Sequence, residues 1–134
     1  MGGWVIGWSA PLPPRALVNC LAMRKVVGAI ALLVLSNIFM NMAWYGHLKF
    51  KDRPLMLVIL ASWGIALLEY CFQVPANRVG SDVLSVTQLK VIQEVITLVT
   101  FGVFAGVVFK ERATLNHGIA FALLIGAAYF ATKK

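Results

Sequence analysis

Hydrophobic positions in this chain fall into long unbroken blocks, without the strict alternation of a half-buried strand or the polar stripe every 3.6 residues of a soluble helix. Val26 to Gly46 carries no charge at all, and Pro54 to Asn77 carries only Glu69. The single charge between Val91 and Phe109 is Glu94, and the single ionisable group between Ala113 and Thr132 is His117. About 20 apolar residues at 1.5 Å rise each cross a hydrocarbon core of ~30 Å, so every block is of spanning length. The pattern predicts an all-α, polytopic membrane protein with four antiparallel transmembrane helices over about 26–46, 54–74, 88–109 and 114–132.

The segments between blocks are short and carry the charges: His47 to Arg53, Arg78 to Lys90, and Lys110-Glu111-Arg112. Short links make successive helices antiparallel neighbours. Pro54 suits the first turn of the second helix, while Pro75 and Gly80 suit its end and the turn beyond. Ser85 or Thr87 can cap the third helix and Thr114 the fourth. Residues 1–24, with Pro11, Pro13 and Pro14, read as a poorly structured amino-terminal extension to a four-helix domain over 25–134. Met23-Arg24-Lys25 reads as a natural start for such a domain.

Composition agrees: 60% of the 134 residues are hydrophobic and 13% charged, against about a quarter charged in soluble domains. The net charge of +7 does not indicate nucleic acid, because the basic residues form small groups beside apolar blocks and no continuous basic face. The partner it implies is the lipid bilayer. Seven basic residues fall on the side of the termini and five on the other, a small excess that points the termini to the cytoplasm. Cys20 and Cys71 have neither metal spacing nor a disulfide framework, and no cofactor motif is present.

Ionisable groups inside a hydrocarbon core cost at least ~2.5 kcal/mol each, which makes them candidates for function. Counting from the block centres places Glu69 and Glu94 at a similar depth on the side of the termini, in one layer with Gln73, Asn77, Arg78 and Gln93. Two adjacent carboxylates would not both ionise easily, the chemistry a proton-coupled carrier needs. The alternative is structural: Lys90 pairs with Glu94 at i,i+4 and Arg78 folds back on Glu69. Asn37, Asn41, Trp44 and Tyr45 share one face of the first helix and are candidates to line a solute site. His47 and His117 lie at block edges, where hydration explains them and no metal set forms. Gly102-xxx-Gly106 and Gly118-xxx-Ala122-xxx-Gly126 are faces on which helix backbones can meet. Four short helices enclose little space, so a carrier of this size is expected to act as a homodimer with a small-molecule substrate. No nucleophile with a base, metal set or phosphate loop suggests an enzyme.

The stretches Leu35-Ser-Asn-Ile-Phe-Met-Asn-Met-Ala-Trp-Tyr-Gly-His-Leu-Lys-Phe50, Ser62-Trp-Gly-Ile-Ala-Leu-Leu-Glu-Tyr-Cys-Phe-Gln-Val-Pro-Ala-Asn-Arg78 and Gln88-Leu-Lys-Val-Ile-Gln-Glu-Val-Ile-Thr97 resemble a four-helix family of the drug/metabolite transporter superfamily. The tail Phe109-Lys-Glu-Arg-Ala-Thr, followed by Gly118 and Gly126, resembles the end of one superfamily repeat. The resemblance implies a fold and a broad class: small multidrug resistance transporters, distant relatives, exchange cations for protons as antiparallel dimers. Their essential carboxylate lies in the middle of the first helix, where this chain has Asn37. Proton coupling, if the resemblance extends to it, falls to Glu69 or Glu94. The competing reading is a non-transporting membrane subunit that packs on a partner through its glycine faces.

Overall fold

The computed structural model describes residues 15–112 and 114–132, and these residues fold into four α-helices with no strand. Helix α1 runs Arg15–Tyr45, α2 Leu55–Ser81, α3 Val86–Phe104 and α4 Leu115–Thr132. A 3-10 turn, Gly46–Lys49, ends α1, and a π-helical turn, Ala105–Phe109, ends α3. The three helical segments containing α1, α2 and α3 are long and apolar enough to cross a membrane, whereas α4 contributes the shorter apolar stretch Leu115–Phe130.

The buried surface inverts the order found in soluble proteins. Along α1 the buried positions are Ala29, Leu33, Ser36, Asn37, Asn41 and Ala43, a stripe of mostly small and polar side chains. Large apolar residues such as Val27, Ile38 and Met42 point outward. In lipid the tails are as apolar as leucine, so helices gain little by hiding leucines from them. Close backbone approach and interhelical hydrogen bonds drive association instead. On that principle the polar residues face the bundle and the apolar ones its surroundings.

Helix α1 is the hub. Its contacts with α2 pair in opposite order (Lys25 with Asp82, Ser36 with Gln73, Phe39 with Phe72), so these two helices run antiparallel. Those with α3 pair in the same order, Asn37 with Thr97, Asn41 with Thr100 and Tyr45 with Phe101, so α3 runs parallel to α1. A small apolar core of Leu33, Ala76 and Leu89 joins the three, packed round by Leu32, Leu84, Ile92 and Ile96. Helix α4 packs against α3, where Phe121 lies in contact range of Gly102.

Two helix boundaries differ from those expected. α1 starts at Arg15, so residues 15–24 prolong the first helix instead of belonging to a poorly structured extension; residues 1–14 lie outside the described ones. At 1.5 Å per residue its 31 residues reach about 46 Å, more than a ~30 Å core. The apolar block marked only the part that lipid can cover. Pro75 does not end α2 but lies exposed inside it, and the helix continues to Ser81. Proline removes one backbone hydrogen bond, which a membrane helix tolerates when its neighbours hold it. Here Gln73, Ala76 and Gly80 continue the buried face of α2 through the proline. Gly80 is itself helical: a Cβ there would lie 2.7 Å from Leu89 Cδ1 and 3.5 Å from Ala29 Cβ, so its role is close approach, not a turn.

The caps follow expectation. Ser85 Oγ accepts from the Gln88 backbone N–H, and the Gln88 side chain accepts from Ser85 N–H, a reciprocal box at the start of α3. Thr114 Oγ1 accepts from His117 N–H at 3.4 Å, and His117 Nδ1 accepts from Thr114 N–H, so the histidine closes the first turn of α4. Lys110 takes the left-handed conformation, φ 56 and ψ 28, at the end of the π turn.

Candidate functional site: a buried polar layer between three helices

Near the middle of the first apolar block, α1 presents Ser36 and Asn37 side by side. The Ser36 hydroxyl donates to Gln73 Oε1 on α2 at 2.8 Å. Asn37 Nδ2 donates to the Leu33 carbonyl one turn back, and Asn37 Oδ1 accepts from the Thr97 hydroxyl on α3 at 2.7 Å. One turn on, Asn41 Nδ2 donates to Thr100 Oγ1 at 3.4 Å. Ser36, Asn37 and Asn41 are at most 1% exposed, and Gln73 is 9% exposed. The layer ties α1 to both partners at one level.

Several of these bonds can be exchanged. The single proton of Thr97 is within reach of Asn37 Oδ1 and of the Gln93 carbonyl at 2.9 Å, and cannot serve both fully. Thr100 has the same choice between the carbonyls of Ile96 and Thr97. Asn41 Oδ1 is buried without a partner. An orphaned buried acceptor costs about 1–3 kcal/mol. Asn41 lines a cleft of about 240 Å³ together with Trp44, Tyr45, Thr97 and Phe101. The Tyr45 and Phe101 rings lie 4.9 Å apart across its wall.

The sequence-derived candidates therefore divide. Asn41, Trp44 and Tyr45 line one cleft, with Trp44 66% exposed at the rim, while Asn37 is buried in the layer one turn before Asn41. Gln73 belongs to the buried layer, and Glu69, one turn earlier on α2, is half-buried beside Ser36. Asn77, Arg78 and Gln93 line a separate cleft of about 440 Å³ between the end of α2 and the start of α3, together with Lys90. Glu94 is exposed and paired with Lys90 on its own helix, as the structural alternative required. The companion pairing of Arg78 with Glu69 does not form among the described residues, whose ion pairs are Lys25–Asp82 and Lys90–Glu94.

Nor do the two carboxylates share a depth. Ser36 opposite Gln73 puts Glu69 level with residue 40 of α1, while Asn37 opposite Thr97 puts Glu94 level with residue 34. The offset is about 9 Å at 1.5 Å per residue. The even count from block centres failed because α2 extends well past its apolar block and the helices slide to match their polar groups.

The glycine faces are likewise unequal. A Cβ on Gly102 would meet Phe121 at 3.4 Å, and one on Gly106 only the Glu111 carbonyl at 3.8 Å. Gly118 and Gly126 have nothing within 4 Å, and Ala122 is exposed, so the α4 face is not packed among the described residues. Ser36, Thr97 and Thr100 escaped the sequence reading. The available signal was a matched spacing: hydroxyls at i and i+3 on α3 answer amides at i and i+4 on α1.

Long apolar helices joined by an internal polar layer define a helical membrane protein. Residues 29–132 match the family described as "Putative member of DMT superfamily (DUF486)", and the chain belongs to that family. Neither a curated protein nor a solved structure matches it.

Proposed function

We propose that the protein is a multi-pass carrier of the drug/metabolite transporter type that moves a small solute across the membrane as a homodimer. The observation that supports this reading best is Asn41: a buried amide with a free acceptor, beside an aromatic-walled cleft at the level of the polar layer. A solute bearing an N–H or O–H donor would satisfy Oδ1 there, with Trp44, Tyr45 and Phe101 covering its apolar part. Membership of the family gives the same direction. The layer beneath suits a moving bundle, because Thr97 and Thr100 can each change acceptor without leaving a hydroxyl unpaired. Glu69, beside Ser36, is the carboxylate placed to couple a proton to that change; Glu94, held by Lys90, serves the bundle end. The open Gly118-Ala122-Gly126 face of α4 is where a second copy would pack.

The discriminating experiment is water access, which needs no known solute. In a chain whose Cys20 and Cys71 are replaced by serine, Asn41→Cys and Thr97→Cys in sealed vesicles should react with a membrane-impermeant thiol reagent. Leu33→Cys, in the core, should not. Protection of all three positions would instead describe a sealed bundle and favour the non-transporting subunit.

A further inference from the structure

The other buried side-chain polar atom without a partner among the described residues is His47 Nδ1. It lies in the 3-10 turn between α1 and α2, away from the polar layer, and lines a cleft of about 390 Å³. The lining is graded from end to end. Lys49 and Arg53, in the turn, contribute the cationic groups, and His47 lies deeper, level with Ser62. Leu57, Ala61 and Ile65 form one face of α2 in steps of a turn, about 12 Å from Leu57 to Ile65, with Phe104 and Val108 of the α3 segment opposite. Ser62 is the one other polar residue along that depth. Neither Lys49 nor Arg53 has an ion-pair partner among the described residues, and Asp52 and Glu111, at the same end of the bundle, do not line the cleft. A second cleft of about 340 Å³, bounded by Trp44, Leu55 and Trp63, shares His47, Val58 and Ser62 with the first.

We infer that this cleft is a binding site for one anionic phospholipid of the bilayer. The phosphate is held by Lys49 and Arg53, and an acyl chain lies along Leu57, Ala61 and Ile65. The charge is at the interfacial turn and the apolar floor runs toward the bilayer interior, the polarity of a lipid in its leaflet. Two unpaired cations, Lys49 and Arg53, face a headgroup with net negative charge. A free phosphate would use the mouth and leave the apolar floor empty, so the graded lining selects an amphiphile.

The full chain in mild detergent can be offered phosphatidylglycerol, phosphatidylcholine with the same acyl chains, or inorganic phosphate, with bound molecules counted by native mass spectrometry. Phosphatidylglycerol should be retained well above phosphatidylcholine, and inorganic phosphate should neither be retained nor displace the lipid. Each of Lys49→Gln and Arg53→Gln should reduce the preference about fivefold, and the pair together more than tenfold. Ala61→Trp, which fills the floor and leaves the cations in place, should lower retention of phosphatidylglycerol while the thermal melt stays close to that of the parent. Equal retention of the two lipids by the parent chain, or an unchanged preference in folded charge variants, would overturn the assignment. So would displacement by inorganic phosphate, which would make this a free-anion site. Should the double variant not fold, the single variants and Ala61→Trp decide the matter.

Discussion

Asn37 and Asn41 stand one turn apart on the same stripe of α1, yet their energetics should have opposite signs. Asn37 has both ends of its amide bonded, to Leu33 and Thr97. Interhelical side-chain hydrogen bonds in membranes average about 0.6 kcal/mol and reach ~1.7. Asn37→Leu should therefore lower the thermal midpoint in detergent, followed by tryptophan fluorescence, by an amount of that order. Asn41 makes one long bond and buries a free acceptor. Removing a group already short of its partner costs little, so Asn41→Leu should leave the midpoint unchanged or raise it, while blocking the cleft. Equal losses in both variants would contradict the assignment of Asn41 as the strained member. At this scale the sequence is half legible. An amide in an apolar run is visible because nothing else explains its cost. Its hydroxyl partners are not, because serine and threonine occur throughout membrane helices and can satisfy themselves on carbonyls of their own helix, as Thr97 and Thr100 also do. Glu94 was legible as one of two readings, since Lys90 four residues earlier is written into the same helix.

The four helices themselves were evident from apolar block length, and their ends were not. A block reports where lipid can cover the helix, so it misses the ten or so residues by which α1 runs on, and Pro75 suggests an end to α2 although the buried face continues to Gly80. Small residues divide similarly. Glycine spacing announces that a close approach is allowed, while contact decides whether it is used. Gly80, without a glycine partner at helical spacing, meets α1 and α3, whereas Gly118 and Gly126 meet nothing among the described residues. A pair of leucine substitutions separates these roles. Gly102→Leu should destabilise the bundle by about 1–3 kcal/mol, because the new side chain collides with Phe121. Gly126→Leu should leave the melt of the isolated chain unchanged and shift a crosslinked dimer toward monomer. No change in crosslinking would remove the α4 face from the proposed dimer contact.

For the whole molecule, antiparallel α1 and α2 with α3 parallel to α1 fix which ends lie together. The α1–α2 turn and the end of α3 belong to one end, and the α2–α3 turn to the other. In the cysteine-free background, Asp52→Cys and Lys110→Cys should label from the same face of sealed vesicles and Ser81→Cys from the opposite one. Labelling of Ser81 and Asp52 from one face would rule out α2 as a span. The hub position of α1 also has a consequence in time. During synthesis α1 is complete before α2, α2 before α3 and α3 before α4, and each later helix has its main neighbour already made: α2 and α3 dock on α1, and α4 on α3. No buried amide of α1 has to wait for the last helix, since its partners Gln73, Thr97 and Thr100 are all made before α4 is. The ribosome can thus deliver the bundle in the order in which it is assembled, and a chain released after α3 would already hold the complete polar layer.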